Sequence, residues 1–409
     1  MAQGTQAVGL AYDAAGRRTG LTYPNGTRTS YAYDAASRLT SLLHQGPTAV
    51  IEALTYTYDA VGNRLGATRA NDQATLLPDA VQAAYDAANE QVQFNSTTPN
   101  LTYDANGNLT SQTDASGTTT YTWDGRNRLV AISGPGVNAS FTYDALGRRV
   151  SKTINGVRTD YQYDKQDLVA ELGGGAVGAT YLRSLSIDEP FVRQGATLEY
   201  YHADVLGSIL RLTDVVGAVT TTYAYEAFGK TTDSSTSTNP FQYTGRENDG
   251  TGLYYYRARY YNPEAQRFLS EDPLISLMTI LSTCSPKTPI RTIWAVPAMI
   301  NSVGPLSDPT RITSPYLYAG DNPLGFADPM GLDKEKKECD ASRLFQCRTR
   351  IRTVLTGGIC GFFARLCVGE ILSGVGAVVA IPTCVFTVGI CVGTFTFAEF
   401  VCLTENNCL

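Results

Sequence analysis

The chain has 409 residues, with 32 Lys and Arg against 38 Asp and Glu, a formal net charge of −6 and 43% hydrophobic residues. That length allows a large core or two domains. The acidic balance argues against a chain that binds nucleic acid through its overall charge.

From the start the chain repeats itself. An aromatic residue followed by Asp recurs at Tyr12-Asp13, Tyr33-Asp34, Tyr58-Asp59, Tyr85-Asp86, Tyr103-Asp104, Trp123-Asp124, Tyr143-Asp144 and Tyr163-Asp164. A near-constant step between copies reads as an array of one small unit. Four copies, AYDAAGRR (11–18), TYDAVGNR (57–64), TYDANGNL (102–109) and TYDALGRR (142–149), share the frame Tyr-Asp-Ala-x-Gly. Before each Asp the chain alternates, as in Tyr31-Ala32-Tyr33 and Tyr121-Thr122-Trp123. Period two with aromatic and Thr residues predicts a strand with one aromatic face. The Asp-Ala-x-Gly that follows predicts a turn, because Asp accepts from the backbone just ahead of it and Gly takes a positive φ. A second turn, as at Pro24-Asn25-Gly26, Ala115-Ser116-Gly117 or Asn155-Gly156, closes many repeats. Each repeat therefore predicts a β-hairpin, and stacked hairpins supply the core that none has alone. An ordinary β-sandwich with common turns is the plainer reading, and the number of matching units disfavours it. No apolar run opens the chain, so no signal peptide is expected at its start. Met1 enters almost directly into a repeat, whereas terminal repeats normally carry a cap. The reading therefore expects a longer natural protein or a detached C-terminal piece.

Residues 199–274 change character: EYYHADVLGSILRLTDVVGAVTTTYAYEAFGK, then NPFQYTGRENDGTGLYYYRARYYNPEAQRFLSEDPL, followed later by YLYAGDNP (316–323) and DPMGL (328–332). With the upstream repeats, these segments resemble the Rhs-repeat-associated core of YD-repeat proteins, which include Rhs polymorphic toxins and the C subunits of insecticidal toxin complexes. The resemblance covers residues 1–332 apart from one insertion. It implies a mainly β fold in which YD-repeat hairpins form a spiral sheet, part of a hollow shell that leaves few free strand edges. It divides the chain into repeats (1–198), a core domain (199–332) and a variable tail (333–409).

The resemblance also implies an aspartyl autoprotease that cuts after the Leu of DPxGL, here between Leu332 and Asp333. Carried over motif by motif, Arg259 is the Arg before the Tyr-Tyr pair of RARYY, Asp272 is the Asp of the S-x-D-P element, and Asp328 opens DPMGL. The chemistry agrees. Two close carboxylates share a proton, one activates water, the other protonates the amide, and Arg steadies the ionised partner. An isolated Asp-Pro is a plain turn former, and only its combination with RARYY and Gly-Leu reverses the odds. Residues 275–314 depart from the family pattern. This Pro-rich stretch widens the gap between Asp272 and Asp328 and is expected either to loop out or to spoil the site. His44 and His202 are the only histidines, and His202, in YYHAD, is expected to pack or to bond at a strand end. No metal site, cofactor motif or phosphate loop is found.

In this family the segment after DPxGL is commonly a toxin. Here it holds eight cysteines, Cys339, Cys347, Cys360, Cys367, Cys384, Cys391, Cys402 and Cys408, whereas residues 1–283 hold none and Cys284 stands alone. The even count favours disulfides, with connectivity open, while the absence of CxxC and of His in the tail argues against zinc. Residues 371–398 carry no charge, the stretch is long enough to span a bilayer, and the small Cys-rich tail is expected to be helical. Without His or clustered carboxylates, a nuclease or deaminase is disfavoured. Composition and the x6 spacing of Cys360-Cys367 and Cys384-Cys391 make the tail loosely similar to halocin C8-like bacteriocins.

The reading is a polymorphic-toxin fragment, secreted or at the cell surface. Its expected partners are its own tail as cargo, an immunity protein, delivery components and the target membrane, with no nucleic acid. The alternative is a non-catalytic adhesion or interaction module with a hydrophobic anchoring tail, and a blander one is a degenerate gene product without activity.

Overall fold

The structure is a computed structural model. It describes residues 2–3, 6–70, 80–234, 237–273 and 314–332. The chain divides into two compact units, one of Met1–Ser184 and Asp188–Lys334 and the other of Leu185–Ile187 and Glu335–Leu409. The expected helical, Cys-rich tail, Asp333 and the 275–313 part of the insertion lie outside the described residues.

The repeats form antiparallel strands paired in chain order. Six strands, from Gly9–Tyr12 to Arg64–Arg69, make one sheet, and fourteen, from Leu101–Tyr103 to Thr231–Asp233, make another. A sheet with only nearest-neighbour pairing follows from short turns at both ends of every hairpin. The mainly β architecture of YD-repeat hairpins is thus present. The fourteen-stranded sheet is continuous across positions 198 and 199, through strands Pro190–Gln194 and Leu198–Ala203. The reason is local: Asp204 and Asp214 build the same turn as the upstream repeats, each accepting from the N–H groups two and four residues on.

That turn explains the frame read from the sequence. In the repeat at Asp124, Oδ1 accepts from the amides of Arg126 (2.9 Å) and Arg128 (3.0 Å) and Oδ2 from Arg128 Nε (2.8 Å). The Arg128 guanidinium then lies 4.8 Å from the ring centroid of Tyr143, the aromatic of the next repeat. Tyr143 in turn donates its hydroxyl to the carbonyl of Leu129 (2.6 Å). Asp13-Arg17-Tyr33, Asp34-Arg38-Tyr58 and Asp144-Arg148-Tyr163 repeat the chain of contacts. So in these four repeats the aromatic, the Asp and the Arg four positions later form one device that ties the repeat to its successor through cation–π contact and hydrogen bonding. Register shifts at the aromatic, as between Thr122 and Trp123 or Thr142 and Tyr143, are bulges that bend the strand. A different turn forms at Asp164, which is followed by Lys165-Gln166-Asp167. There the chain closes a two-residue turn between the paired Asp164 and Asp167, with Lys165 at φ +54°.

A four-stranded sheet, from Glu247–Asn248 to Arg267–Phe268, packs on the repeats. Its Leu253, Tyr255 and Tyr260 join Leu109, Leu129, Ile132 and Phe141 in one apolar cluster. The fully buried Arg149 crosses the same interface to Glu247 (2.7 Å) and Asp249. Such a pair is weak evidence of net stability, but it fixes how the two sheets meet.

Candidate active site

The four-stranded sheet positions the three residues singled out by the sequence. Arg259 begins strand Arg259–Asn262, Asp272 lies just beyond strand Arg267–Phe268, and Asp328 sits in the turn that carries DPMGL. All three are buried, at 2%, 6% and 1% exposure. Arg259 Nη2 lies 3.0 Å from Asp272 Oδ2 and 3.2 Å from Asp328 Oδ2, so one nitrogen serves both carboxylates. The insertion therefore does not keep the aspartates apart: the chain returns at Ser314, and the amide of Asp272 donates to Pro315 O (3.1 Å).

The remaining donors of Arg259 reach backbone. Nη1 donates to Pro315 O (3.0 Å) and Nε to Gly331 O. The guanidinium lies 3.6 Å from the ring centroid of Phe268, which fixes its plane. Asp328 is engaged on both oxygens. Oδ1 accepts the amide of Leu332 (2.9 Å) while Oδ2 faces Arg259. One carboxylate thus holds the residue on the N-terminal side of the expected cut.

Aromatic residues wall the site. Tyr256, Tyr261, Phe268 and Tyr318 form one buried cluster, with the Tyr261 and Tyr318 centroids 4.4 Å apart. Burial pushes the Tyr318 hydroxyl up, and the charge of Asp328 adds to the rise. In such water-poor surroundings electrostatic interactions strengthen.

Sequence reasoning missed three contributors. Gly331 takes φ +68°, and a Cβ there would meet Tyr256 O at 2.3 Å. Arg257 reaches Pro329 O and the buried Asp188. The Gly of DPMGL was a visible signal of tight backbone approach, whereas nothing in the sequence links Asp188 to residue 257. His202 bonds Thr213 Oγ1 through Nε2 (2.9 Å), as expected of a strand residue, but it also packs against His44, a pairing with no sequence signal. The eight tail cysteines and Asp333 lie outside the described residues.

The Teneurin YD-shell family model matches residues 5–291. Among curated proteins, the chain is 34% identical over 231 residues to tRNA nuclease WapA of Bacillus subtilis, covering 54% of this chain and 10% of that protein. It is 30% identical over 112 residues to toxin subunit YenC1 of Yersinia entomophaga, covering 26% of this chain and 12% of that one. The chain thus spans about a tenth of the length of these relatives. Among solved structures it resembles TcdB2-TccC3, with a TM-score of 0.50 at 19% identity over 80% of this chain and 20% of that one. It also resembles the Photorhabdus luminescens Tc holotoxin pore, with a TM-score of 0.52 at 18% identity over 80% of this chain and 19% of that one. At such identity these likenesses concern the fold alone. With hairpins tied by the Tyr-Asp-x3-Arg device and a family match over more than half its length, the chain belongs to the Teneurin YD-shell family of Rhs/YD-repeat proteins.

Proposed function

We propose that the chain is a fragment of a polymorphic toxin, whose YD-shell carries residues 333–409 as cargo and frees them by cutting itself between Leu332 and Asp333. The observation that carries the reading is the shared donor: Arg259 Nη2 serves Asp272 and Asp328 together, while Asp328 also holds the Leu332 amide.

In this reading the dyad holds one proton. The ionised carboxylate takes a proton from water as its oxygen adds to the Leu332 carbonyl. The protonated carboxylic acid gives its proton to the departing amide nitrogen of Asp333. The C–N bond breaks, leaving a new carboxylate on Leu332 and a new amino group on Asp333. Arg259 offsets the negative charge of the dyad and steadies the backbone through Gly331 O.

The names of the relatives support the cargo reading: a tRNA nuclease, a toxin subunit and, over a short match of 89 residues, a double-stranded DNA deaminase toxin of Burkholderia cenocepacia. Their activities differ, so the chemistry of this tail is taken from its own residues. We assign it to membranes, as a disulfide-stapled, bacteriocin-like peptide, because residues 371–398 carry no charge and the tail has no His. The reading places the protein outside the producing cell or on its surface, with a delivery system and an immunity protein as partners.

The test is the intact mass of the purified chain. Two pieces divided at Leu332 are expected, and single Asp272→Asn or Asp328→Asn chains should stay at full length. Cleavage of the doubly substituted chain at the wild-type rate would assign the cut to a contaminating protease.

A further inference from the structure

Three consecutive residues face three consecutive carbonyls of DPMGL. Arg257 Nη1 donates to Pro329 O, Ala258 N–H to Met330 O (3.2 Å), and Arg259 Nε to Gly331 O. Residues 257 and 258 form the two-residue turn of the hairpin in which Tyr256 pairs with Arg259. The tip of one hairpin therefore grips the segment next to the expected cut, one residue per rung.

The outer rung is built from unusual parts. Arg257 sits at φ +53°, a left-handed position where Gly or Asn is the easy residue of a two-residue hairpin turn. Its side chain is held by Asp188, with Nη1 at 3.0 Å from Oδ2 and Nη2 at 2.7 Å from Oδ1. Asp188 is itself at φ +57° and 1% exposed. Arg246 reaches the same carboxylate and anchors on Tyr255 O through Nη2 (2.7 Å). Two non-glycine residues in a disfavoured conformation, joined by a buried bidentate pair, mark a place where the surrounding structure imposes a geometry. The one backbone group that Arg257 reaches on DPMGL is Pro329 O.

We infer that Asp188 and Arg257 are positioning residues that set the register of DPMGL against the aspartate dyad and so select which peptide bond is cut. The inference rests on the self-cleavage reading above. Neither residue reaches the Leu332 carbonyl. Asp188 aims Arg257, Arg257 holds Pro329 O, and with the Ala258 and Arg259 rungs this leaves Leu332 as the residue whose amide falls on Asp328. Loss of the outer rung lets the segment shift, and a shift on the order of 1 Å costs about 10²-fold in rate.

The deciding variant is Arg257→Gly in the full chain, because Gly is at ease at φ +53° and the turn survives. Arg246 stays on Asp188 in this variant, so the fold is expected to be retained at some cost in thermal midpoint. Its self-cleavage, followed by intact mass, should slow about 10²-fold or yield ends other than Leu332. Arg257→Lys should recover part of the rate at the original bond, and Asp188→Asn should behave like Arg257→Gly. A purely structural role predicts no rescue by Lys and no change of cut position. Arg257→Gly that stays folded and cuts after Leu332 at the wild-type rate overturns the inference while leaving the dyad reading intact, provided Asp328→Asn stays uncut in parallel. A wild-type chain that never cuts, or an Asp328→Asn chain that cuts freely, overturns both.

Discussion

His44 and His202 meet edge to face across two sheets, with ring centroids 5.2 Å apart. His44 lies on strand Leu39–Gln45 of the six-stranded sheet and His202 on strand Leu198–Ala203 of the fourteen-stranded one. His44 Nδ1 faces Thr29 Oγ1 (2.8 Å) and its Nε2 faces Ala203 O (3.0 Å). His202 Nε2 faces Thr213 Oγ1, and its buried Nδ1 has no hydrogen-bond partner among the described residues. The charge of Arg211, paired to the fully buried Glu52 (2.8 Å), which Arg69 also reaches (3.0 Å), acts on both rings.

Acid is therefore expected to loosen this seam. Burial pulls His44 down to about 4, partly offset by the Ala203 carbonyl, and Arg211 lowers it further. Burial pulls His202 well below its ordinary range, with His44 and Arg211 adding to the fall. Unfolded histidines bind protons near pH 6.5, before the folded ones do. Stability is then complete above about 6.5 and falls as pH drops toward 4, by about 3 kcal/mol for His44 alone at the lower end. Urea midpoints measured from pH 7.5 to 5 should fall through this window, and the fall should flatten in a His44→Gln, His202→Gln chain. A midpoint constant down to pH 5 would refute the assignment.

A second expectation concerns the repeat device. Asp124→Ala removes the acceptor of two backbone amides and the partner of Arg128 at once. By analogy with lost helix caps and part-exposed charged bonds, a destabilisation of about 1–2 kcal/mol is expected. Arg128→Lys keeps the charge but loses the Nε bond and the stacking on Tyr143, and should cost under about 1 kcal/mol. Amide exchange at residues 126 and 128 reads the local effect. Equal protection in Asp124→Ala and wild type would show that the backbone turn alone holds the repeat.

Much of this was legible in the sequence because it is local. Tyr33, Asp34 and Arg38 stand close together in the chain, and the hydrogen bonds of the turn span two or four positions, so spacing alone carries the hairpin. Arg259, Asp272 and Asp328 were recoverable through a motif resemblance, although the insertion drives the two aspartates far apart in the chain, because each stands in a distinctive frame. Asp188 stands in no such frame. Its tie to Arg257 is long-range and depends on how the four-stranded sheet docks on the repeats. The His44–His202 contact likewise depends on how two sheets pack, which alternation along a strand does not encode.

Gly331 separates backbone fit from chemistry. At φ +68°, with a built Cβ 2.3 Å from Tyr256 O and 3.1 Å from Arg259 N, the position has no room for a side chain. Gly16, at φ +77°, has open space around it. Gly16→Ala is expected to cost about 1–2 kcal/mol through backbone conformation alone and to leave self-cleavage unchanged. Gly331→Ala must push DPMGL off the hairpin tip, and self-cleavage should fall by about 10²-fold or more. Intact mass against time, with thermal midpoints alongside, decides. Equal cleavage rates in the two variants would show that the close approach at Gly331 is irrelevant to the reaction.

The tail gives the last expectation, and it rests on residues alone. Eight cysteines fall within residues 339–408, beside a body whose one cysteine is Cys284. Four disulfides and one free thiol are expected, and thiol counting on denatured, unreduced chain measures this. Five or more free thiols would remove the stapled peptide and favour a metal-bound or purely apolar segment. Once freed, a stretch such as 371–398, uncharged from end to end, lowers its free energy by entering lipid. Oxidised residues 333–409 should therefore release dye from liposomes and leave RNA and DNA intact. Val379→Asp places a carboxylate near the middle of the stretch, at an insertion cost of about 3 kcal/mol, so leakage should drop steeply in that variant. Degraded nucleic acid beside intact liposomes would overturn the membrane assignment, and silence in both assays would favour an inert, anchoring tail.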